Sequence, residues 1–208
     1  MLSNQKDLDA MMNLLHELNF VRKDDTGEVE GYIIDDKGRI AALINAADEL
    51  LITELLVNGW LKNSDSPAHI AALLSVFVAE EKEENADIEG FEEQWDQVIS
   101  NATRIADMAI AAGVPLDKKQ YLDKFLNSNI KVVEAWANGV TFATLMKEHP
   151  NLYEGSIIRT LKRLDELIKQ VAIATKRFGN DVLTNNLLES SKLINRAIVQ
   201  TKSLYTEK

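Results

Sequence analysis

The chain has 208 residues, of which 46% are hydrophobic and 27% charged, with three prolines and no cysteine. This length supports one sizeable domain, or one domain with a small appendage, and the composition predicts a soluble, largely helical protein. The missing cysteines exclude disulfides, thiolate metal sites and a cysteine nucleophile, and they fit an intracellular protein. No apolar run approaches the roughly 18–20 residues needed to cross a bilayer. The amino terminus lacks the basic-then-apolar pattern of a secretory signal.

The net charge of −10 is distributed unevenly along the chain. Residues 151–208 carry ten basic and six acidic side chains, giving +4, whereas the first 150 residues carry −14. The acidic part repels phosphate, which argues against a general nucleic-acid binder and against a duplex-DNA regulator. The basic end permits local contact with a nucleic acid without requiring it.

The amino-terminal residues predict a helix over 5–19 followed by a β-hairpin. Phe20-Val21 and the segment 32–34 are apolar strands that flank a charged, glycine-containing turn over 24–28. This unit resembles the tail of a winged helix, and the alternative is a free-standing hairpin that covers the bundle. We therefore predict a helix-plus-hairpin edge over 1–36 and a helical bundle over 37–208, packed as one unit.

The rest of the chain predicts an all-α, multi-helix bundle. Helices are expected at 39–46, 48–58, 67–83, 90–112, 117–126, 130–138, 141–148, 153–178 and 180–202. Ser66 before Pro67, and Thr141, supply amino-terminal caps, and Gly113 ends a helix. The acidic tract 80–87 is expected to be a solvated loop, with contact to a basic partner as the alternative. Expected buried side chains are Phe91, Trp95, Val98, Ile105, Met108, Ala109, Trp136, Leu183, Leu187, Leu188, Leu193, Ile194 and Ile198.

The long helix predicted over 153–178 has two unlike faces. One face is apolar and consists of Ile157, Leu161, Leu164, Ile168 and Val171. The opposite face carries a polar stripe at i, i+4, i+7 and i+11, namely Arg159, Arg163, Glu166 and Gln170. Periodicity alone favours an ordinary amphipathic helix with a solvated, salt-bridged side.

Motifs that carry catalysis are missing from the sequence. There is no Gly-x-x-x-x-Gly-Lys-Ser/Thr loop to hold a triphosphate and no Asp-Glu-x-His box. His16, His69 and His149 lie far apart without partners at metal-ligand spacing, and Glu-x-x-His pairs are absent. We expect this chain alone to be no enzyme and to hold no metal or cofactor.

The blocks of sequence around the long helix resemble the carboxyl-terminal helical (DSHCT) domain of exosome-associated DExH-box RNA helicases. This family comprises the nuclear exosome helicase and its cytoplasmic superkiller counterpart. The run from Tyr153 to Arg159 and the run from Lys162 to Leu167 carry the resemblance most clearly. Further similar blocks lie, in family order, at 37–41, 48–56, 70–78, 80–82, 132–139, 142, 178–180, 196–199 and 203–205.

The resemblance implies that the long helix is a "ratchet" helix closing one side of a channel for single-stranded RNA. The two family positions that touch nucleotides correspond to Arg163 and Glu166, and the stripe geometry adds Arg159 and Gln170 as further expected contacts. It also implies two RecA-like ATPase domains, with ATP and Mg²⁺, ahead of this region. Those domains are not in this chain, which leaves open a fragment or a free-standing relative.

The expected partners are single-stranded RNA, a RecA-like helicase core, and the RNA exosome with its cofactors; no membrane or metal is expected. The expected role is guiding RNA toward exosome-linked processing and decay, inside the cell and preferentially in the nucleus. The alternative is an acidic helical interaction module that docks on the helicase core or an exosome cofactor without touching RNA.

Overall fold

A computed structural model describes residues 2–24, 31–62, 66–83 and 86–196. Within these ranges the chain is a helical bundle with one small antiparallel sheet at its edge, which confirms the predicted fold class. The elements are α1 (Leu2–Glu17), β1 (Val21–Lys23), β2 (Tyr32–Ile34), α2 (Asp36–Ala41), α3 (Glu49–Val57), α4 (Pro67–Leu74), α5 (Glu92–Ala111), α6 (Lys118–Leu122), α7 (Ile130–Ala137), α8 (Phe142–Glu148), α9 (Glu154–Arg177) and α10 (Asp181–Ile194).

Helix α9 lies at the centre of the main hydrophobic core. Its apolar face is fully buried, because Ile157, Leu161, Leu164, Ile168 and Val171 all contribute to one continuous cluster. The helix packs chiefly against α10 and also against α4, and α4 in turn packs against α7. The sequence period of α9 therefore predicted its buried side correctly.

The amino-terminal helix and hairpin pack onto the bundle through a second, smaller cluster. Strand β1 pairs with β2 in the register Val21↔Ile34, as the hairpin prediction requires. Leu14, Leu18 and Phe20 of this unit contact Ala41 of α2 and Ala109 of α5. The winged-helix interpretation of the unit stays a prediction.

Lys37 and Gly38 join the hairpin unit to the bundle. The Lys37 ammonium donates to the carbonyl of Leu18 at 2.7 Å and pairs with the buried carboxylate of Glu54. Arg104 of α5 reaches the other oxygen of that carboxylate at 2.5 Å. Glu54 thus binds two cations, from α2 and α5, which compensates the cost of burying its charge.

Helix ends follow the predicted caps, but four predicted helices end too late. Ser66 Oγ and Thr141 Oγ1 accept from the amides three residues on, and Gly113 ends α5 at φ 87°. The predicted helices 39–46, 67–83, 117–126 and 180–202 all end earlier, at Ala41, Leu74, Leu122 and Ile194. After Leu74, a 3-10 turn over Ser75–Phe77 closes with Ser75 Oγ donating to the Ala72 carbonyl at 2.6 Å. The chain then leaves the helix axis as an irregular segment over 78–83.

Most of the predicted core is buried, and one residue is not. Leu188 is 46% exposed, because Leu187 and Ile194 already occupy the buried side of α10 and Leu188 lies one residue, or 100°, around it. Trp95, Met108, Leu183 and Leu193 are partly buried rather than enclosed. Ile198 lies outside the described residues.

The end of α10 is fixed to α7 by Trp136 and Arg196. The Trp136 indole donates to the Ile194 carbonyl at 2.9 Å, and the Arg196 guanidinium lies 3.6 Å from the indole ring centre. Arg196 also donates to the carbonyls of Trp136 and Val140, at the end of α7. Burial lowers the pKa of Arg196. The residue therefore serves as a carboxyl-terminal cap for α7 supplied from a distant part of the sequence.

Candidate nucleic-acid interface

The polar stripe of α9 lies on the open side of the helix, opposite the core. The side chains of Arg159 and Arg163 are 61% and 49% exposed. Glu166 is exposed one turn further on, and Gln170 is half-buried. The structure therefore brings all four predicted residues onto one face, with the two arginines reachable from solvent.

Glu80 binds both arginines at once. Its carboxylate accepts from Nε of Arg159 at 2.9 Å and from Nη1 of Arg163 at 3.5 Å. Arg159 additionally donates to Ser156 Oγ at 3.1 Å. One carboxylate against two guanidiniums leaves a net positive pair whose remaining N–H groups can still donate.

The segment that carries Glu80 lies along the amino-terminal half of α9. Next to it, the carboxylate of Glu81 accepts from the Tyr153 amide at 3.4 Å, and its carbonyl accepts from Ser128 Oγ. The start of the acidic tract is a loop with Glu80 exposed, as predicted, and it also contacts α9 and its surroundings. Residues 84–85 lie outside the described residues.

Gln170 is engaged by the connection between α2 and α3. Its Oε1 accepts from the amides of Asn45 and Ala46 at 2.8 and 2.9 Å, and its Nε2 donates to Asn45 Oδ1 at 2.7 Å. The same nitrogen lies 3.4 Å from Glu166 Oε1. Each polar atom of the amide thus has a partner within the chain, which gives Gln170 a structural role. RNA contact by Gln170 stays a prediction.

An open groove of 580 Å³ lies beside Arg163. Its other walls are the start of α3, the segment after the 3-10 turn and the loop after α6; the lining residues are Ala47, Asp48, Glu49, Phe77, Ala79, Glu80, Asp123, Lys124, Phe125, Leu126 and Arg163. Four carboxylates against two cations make this groove acidic. Phosphate is therefore favoured at the arginines on the helix surface and disfavoured inside the groove.

Asp165 and Glu166 are sequence neighbours with opposite environments. Asp165 is buried, and its carboxylate accepts from Ser191 Oγ at 2.6 Å, Lys169 Nζ at 2.7 Å and Asn195 Nδ2 at 3.4 Å. The bonds from Ser191 and Asn195 tie α9 to α10. The run from Lys162 to Leu167 therefore contains a buried residue, Asp165, directly before an exposed one, Glu166.

Sequence reasoning missed Glu80, Asn45 and Asp165 as residues that shape this surface. The inward angle of Asp165 could have been read from the sequence, since it lies four residues after Leu161 and three before Ile168, on the buried side of the helix. Glu80 and Asn45 are 79 and 125 residues from their partners and carried no local signal.

The histidines, aspartates and glutamates in the described part of the chain include no group of three that could hold a metal ion. None of the described helices combines the length and apolar content that a bilayer span requires.

The bundle is thus a helical domain with a mixed-charge stripe on an exposed helix, and comparisons with known proteins identify its family. The sequence model of the DSHCT (NUC185) domain matches residues 31–202. The exosome RNA helicase MTR4 of Homo sapiens is 37% identical over 203 residues, which are 96% of this chain and 18% of that helicase. The antiviral helicase SKI2 of Saccharomyces cerevisiae is 34% identical over 180 residues, covering 81% of this chain and 13% of that protein.

This chain belongs to the DSHCT domain family, as the resemblance predicted. The ATP-dependent RNA helicase mtr4 of Schizosaccharomyces pombe is similar to the same extent, with 37% identity over 202 residues. The chain spans less than a fifth of the length of these relatives. It is therefore comparable to one domain of such helicases.

Proposed function

We propose that this domain lines the path of single-stranded RNA in an ATP-dependent 3′–5′ RNA helicase and guides the strand toward exosome-linked processing and decay. The observation that carries the proposal is the pair Arg159 and Arg163, held side by side on the exposed face of a helix whose other face is fully buried. A helix anchored in this way is stiff, so contacts one turn apart keep a fixed spacing against a strand.

Each residue of the stripe has a role suited to a strand that must slide. Arg163 donates to phosphate or stacks flat on a base, and Arg159 gives a second cationic contact one turn before it. Glu166 accepts from an exocyclic amine, and its negative charge keeps the grip weak. Gln170 positions Glu166 and the 45–46 backbone. The partners in this proposal are RNA, the RecA-like helicase core and the exosome, inside the cell and preferentially in the nucleus.

The test is a titration of fluorescein-labelled single-stranded RNA with this chain at several salt concentrations. Each phosphate contact contributes about −0.7 to the slope of log affinity against log salt for a single strand. Arg163→Gln should weaken binding severalfold and make the slope shallower by about 0.7. Lys176→Gln is the matched control, because Lys176 is an exposed cation on α9 about 100° around the helix from Arg177 and the arginine stripe. If the RNA affinity depends neither on the salt concentration nor on the Arg163→Gln substitution, the proposal is wrong.

The acidic groove favours a second candidate, a docking module that touches no RNA. Asp48, Glu49, Glu80 and Asp123 would suit a basic segment of the helicase core or of an exosome cofactor. Two variants distinguish RNA contact from protein docking. Asp123→Asn together with Glu49→Gln should weaken protein docking and leave RNA affinity unreduced, whereas Arg163→Gln should do the reverse.

A further inference from the structure

The stripe of α9 contacts the connection between α2 and α3 at Gln170 and is exposed again beyond it, up to the end of the helix. Arg177 follows Arg159 by about five helical turns, so both side chains leave the helix in the same direction, about 27 Å apart along the axis. Ile173 lies between them on the same stripe and is 58% exposed. The family resemblance singled out neither residue.

Arg177 ends this stripe as an available cation. It is exposed, and the hydrogen bonds and ion pairs among the described residues do not include it. This distinguishes it from Arg159 and Arg163, which share the carboxylate of Glu80. An anion arriving at Arg177 therefore displaces no partner found in the described part of the chain.

Phe178, the residue after Arg177, caps the carboxyl end of α9. Its side chain is 43% exposed and borders a shallow cleft of 240 Å³. The other lining residues come from the end of α3, the end of α9 and the start of α10; they are Leu56, Val57, Thr175, Asn180 and Leu183. All six are uncharged, so the cleft suits a flat apolar group.

We propose that a single strand lying on Arg159 and Arg163 continues along α9, places a phosphate at Arg177 and stacks one base on Phe178 in this cleft. The inference rests on the proposed RNA contact at Arg163. A nucleotide is the occupant that the chemistry favours, because it joins an anion to a flat π-face at close spacing. Base stacking on an exposed aromatic ring is tolerant of sequence, which suits a channel that accepts any strand.

The experiment measures the affinity of this chain for fluorescein-labelled oligouridine of increasing length. Arg177→Gln should weaken binding of long strands and make the salt slope shallower by about 0.7. Phe178→Leu keeps an apolar side chain but removes the ring; it should weaken the same strands roughly fivefold with little change of slope. Short strands whose affinity falls with Arg163→Gln should bind the Arg177→Gln and Phe178→Leu variants as tightly as the parent chain, since they do not reach the end of α9.

Lys176→Gln serves as the control, because it removes the same charge from the neighbouring residue on a different face of the helix. If Arg163→Gln weakens binding while Arg177→Gln and Phe178→Leu do not, the extension is wrong and the proposed function stands. If Lys176→Gln matches Arg177→Gln, the effect is one of net charge and the extension is again wrong. If none of the variants changes affinity, the proposed function fails as well.

Discussion

Glu80 and Arg159 meet across 79 residues of sequence, with Oε2 of the glutamate accepting from Nε of the arginine at 2.9 Å. The same carboxylate reaches Arg163, so a single acidic side chain both orients and partly neutralises the two residues proposed to hold RNA. Because a phosphate and the Glu80 carboxylate both accept from the guanidinium N–H groups of Arg159 and Arg163, they compete for these donors.

Glu80→Gln should therefore tighten RNA binding. The amide keeps one acceptor for an arginine and removes the negative charge, so we expect an affinity gain of about two- to fivefold at low salt, shrinking as salt rises. Stability should fall by less than about 1 kcal/mol, since both arginines that pair with Glu80 are solvent-exposed. Anisotropy titration and thermal unfolding measure the two effects. Weaker binding would instead make Glu80 a positioning residue.

Gln170→Ala tests the structural role of that side chain. The substitution leaves the amides of Asn45 and Ala46 without their acceptor and should cost about 1–2 kcal/mol in urea unfolding. Gln170→Glu is the matched variant, because a carboxylate still accepts from both amides and should recover part of the loss. Full stability of the alanine variant, with reduced RNA affinity, would favour direct RNA contact.

Asp165→Asn and Glu166→Gln make the same chemical change on adjacent residues with different expected outcomes. The Asp165 carboxylate is buried and accepts from three donors, so an amide there turns one acceptor into a donor facing other donors. We expect a loss of about 1–3 kcal/mol in the free energy of unfolding. The exposed Glu166 should change stability by no more than about 0.5 kcal/mol. Equal losses at both positions would contradict the assigned orientations.

The helical period of α9 was enough to predict which residues face the core and which face outward. It could not show what contacts the outward face, because Glu80 and Asn45 reach α9 only after the chain has folded. Local patterns also overextended the helix from Pro67, since the turn at Ser75 depends on where residues 78–83 must go to reach α9. Caps were predictable because Ser66 and Thr141 act within three residues of themselves.

Gly38→Ala should separate the hairpin unit from the bundle. An added Cβ would lie 2.2 Å from the Phe20 carbonyl oxygen and 2.9 Å from Ile34 Cγ2, so the backbone must move. We expect a cost of about 1–3 kcal/mol in unfolding free energy. Gly155→Ala in the first turn of α9 is the control: its nearest neighbour is the flexible Arg159 guanidinium at 3.5 Å, so alanine should be neutral or stabilising by up to about 1 kcal/mol. Equal effects would show that close approach is not the reason for glycine at position 38.

His69 should make stability depend on pH. Its ring stacks on Phe91 with centroids 4.1 Å apart, and burial lowers the pKa of His69 below its ordinary 6.5, with Lys131 acting in the same direction and Glu134 opposing. The unfolded chain therefore takes up this proton first, so the contribution is complete above pH 6.5 and declines as the pH falls through that value. His69→Gln should lose less stability than the parent chain between about pH 7.5 and about pH 5.5 in urea unfolding. Parallel pH profiles for the two proteins would show that the half-buried imidazole of His69 is not the titrating group.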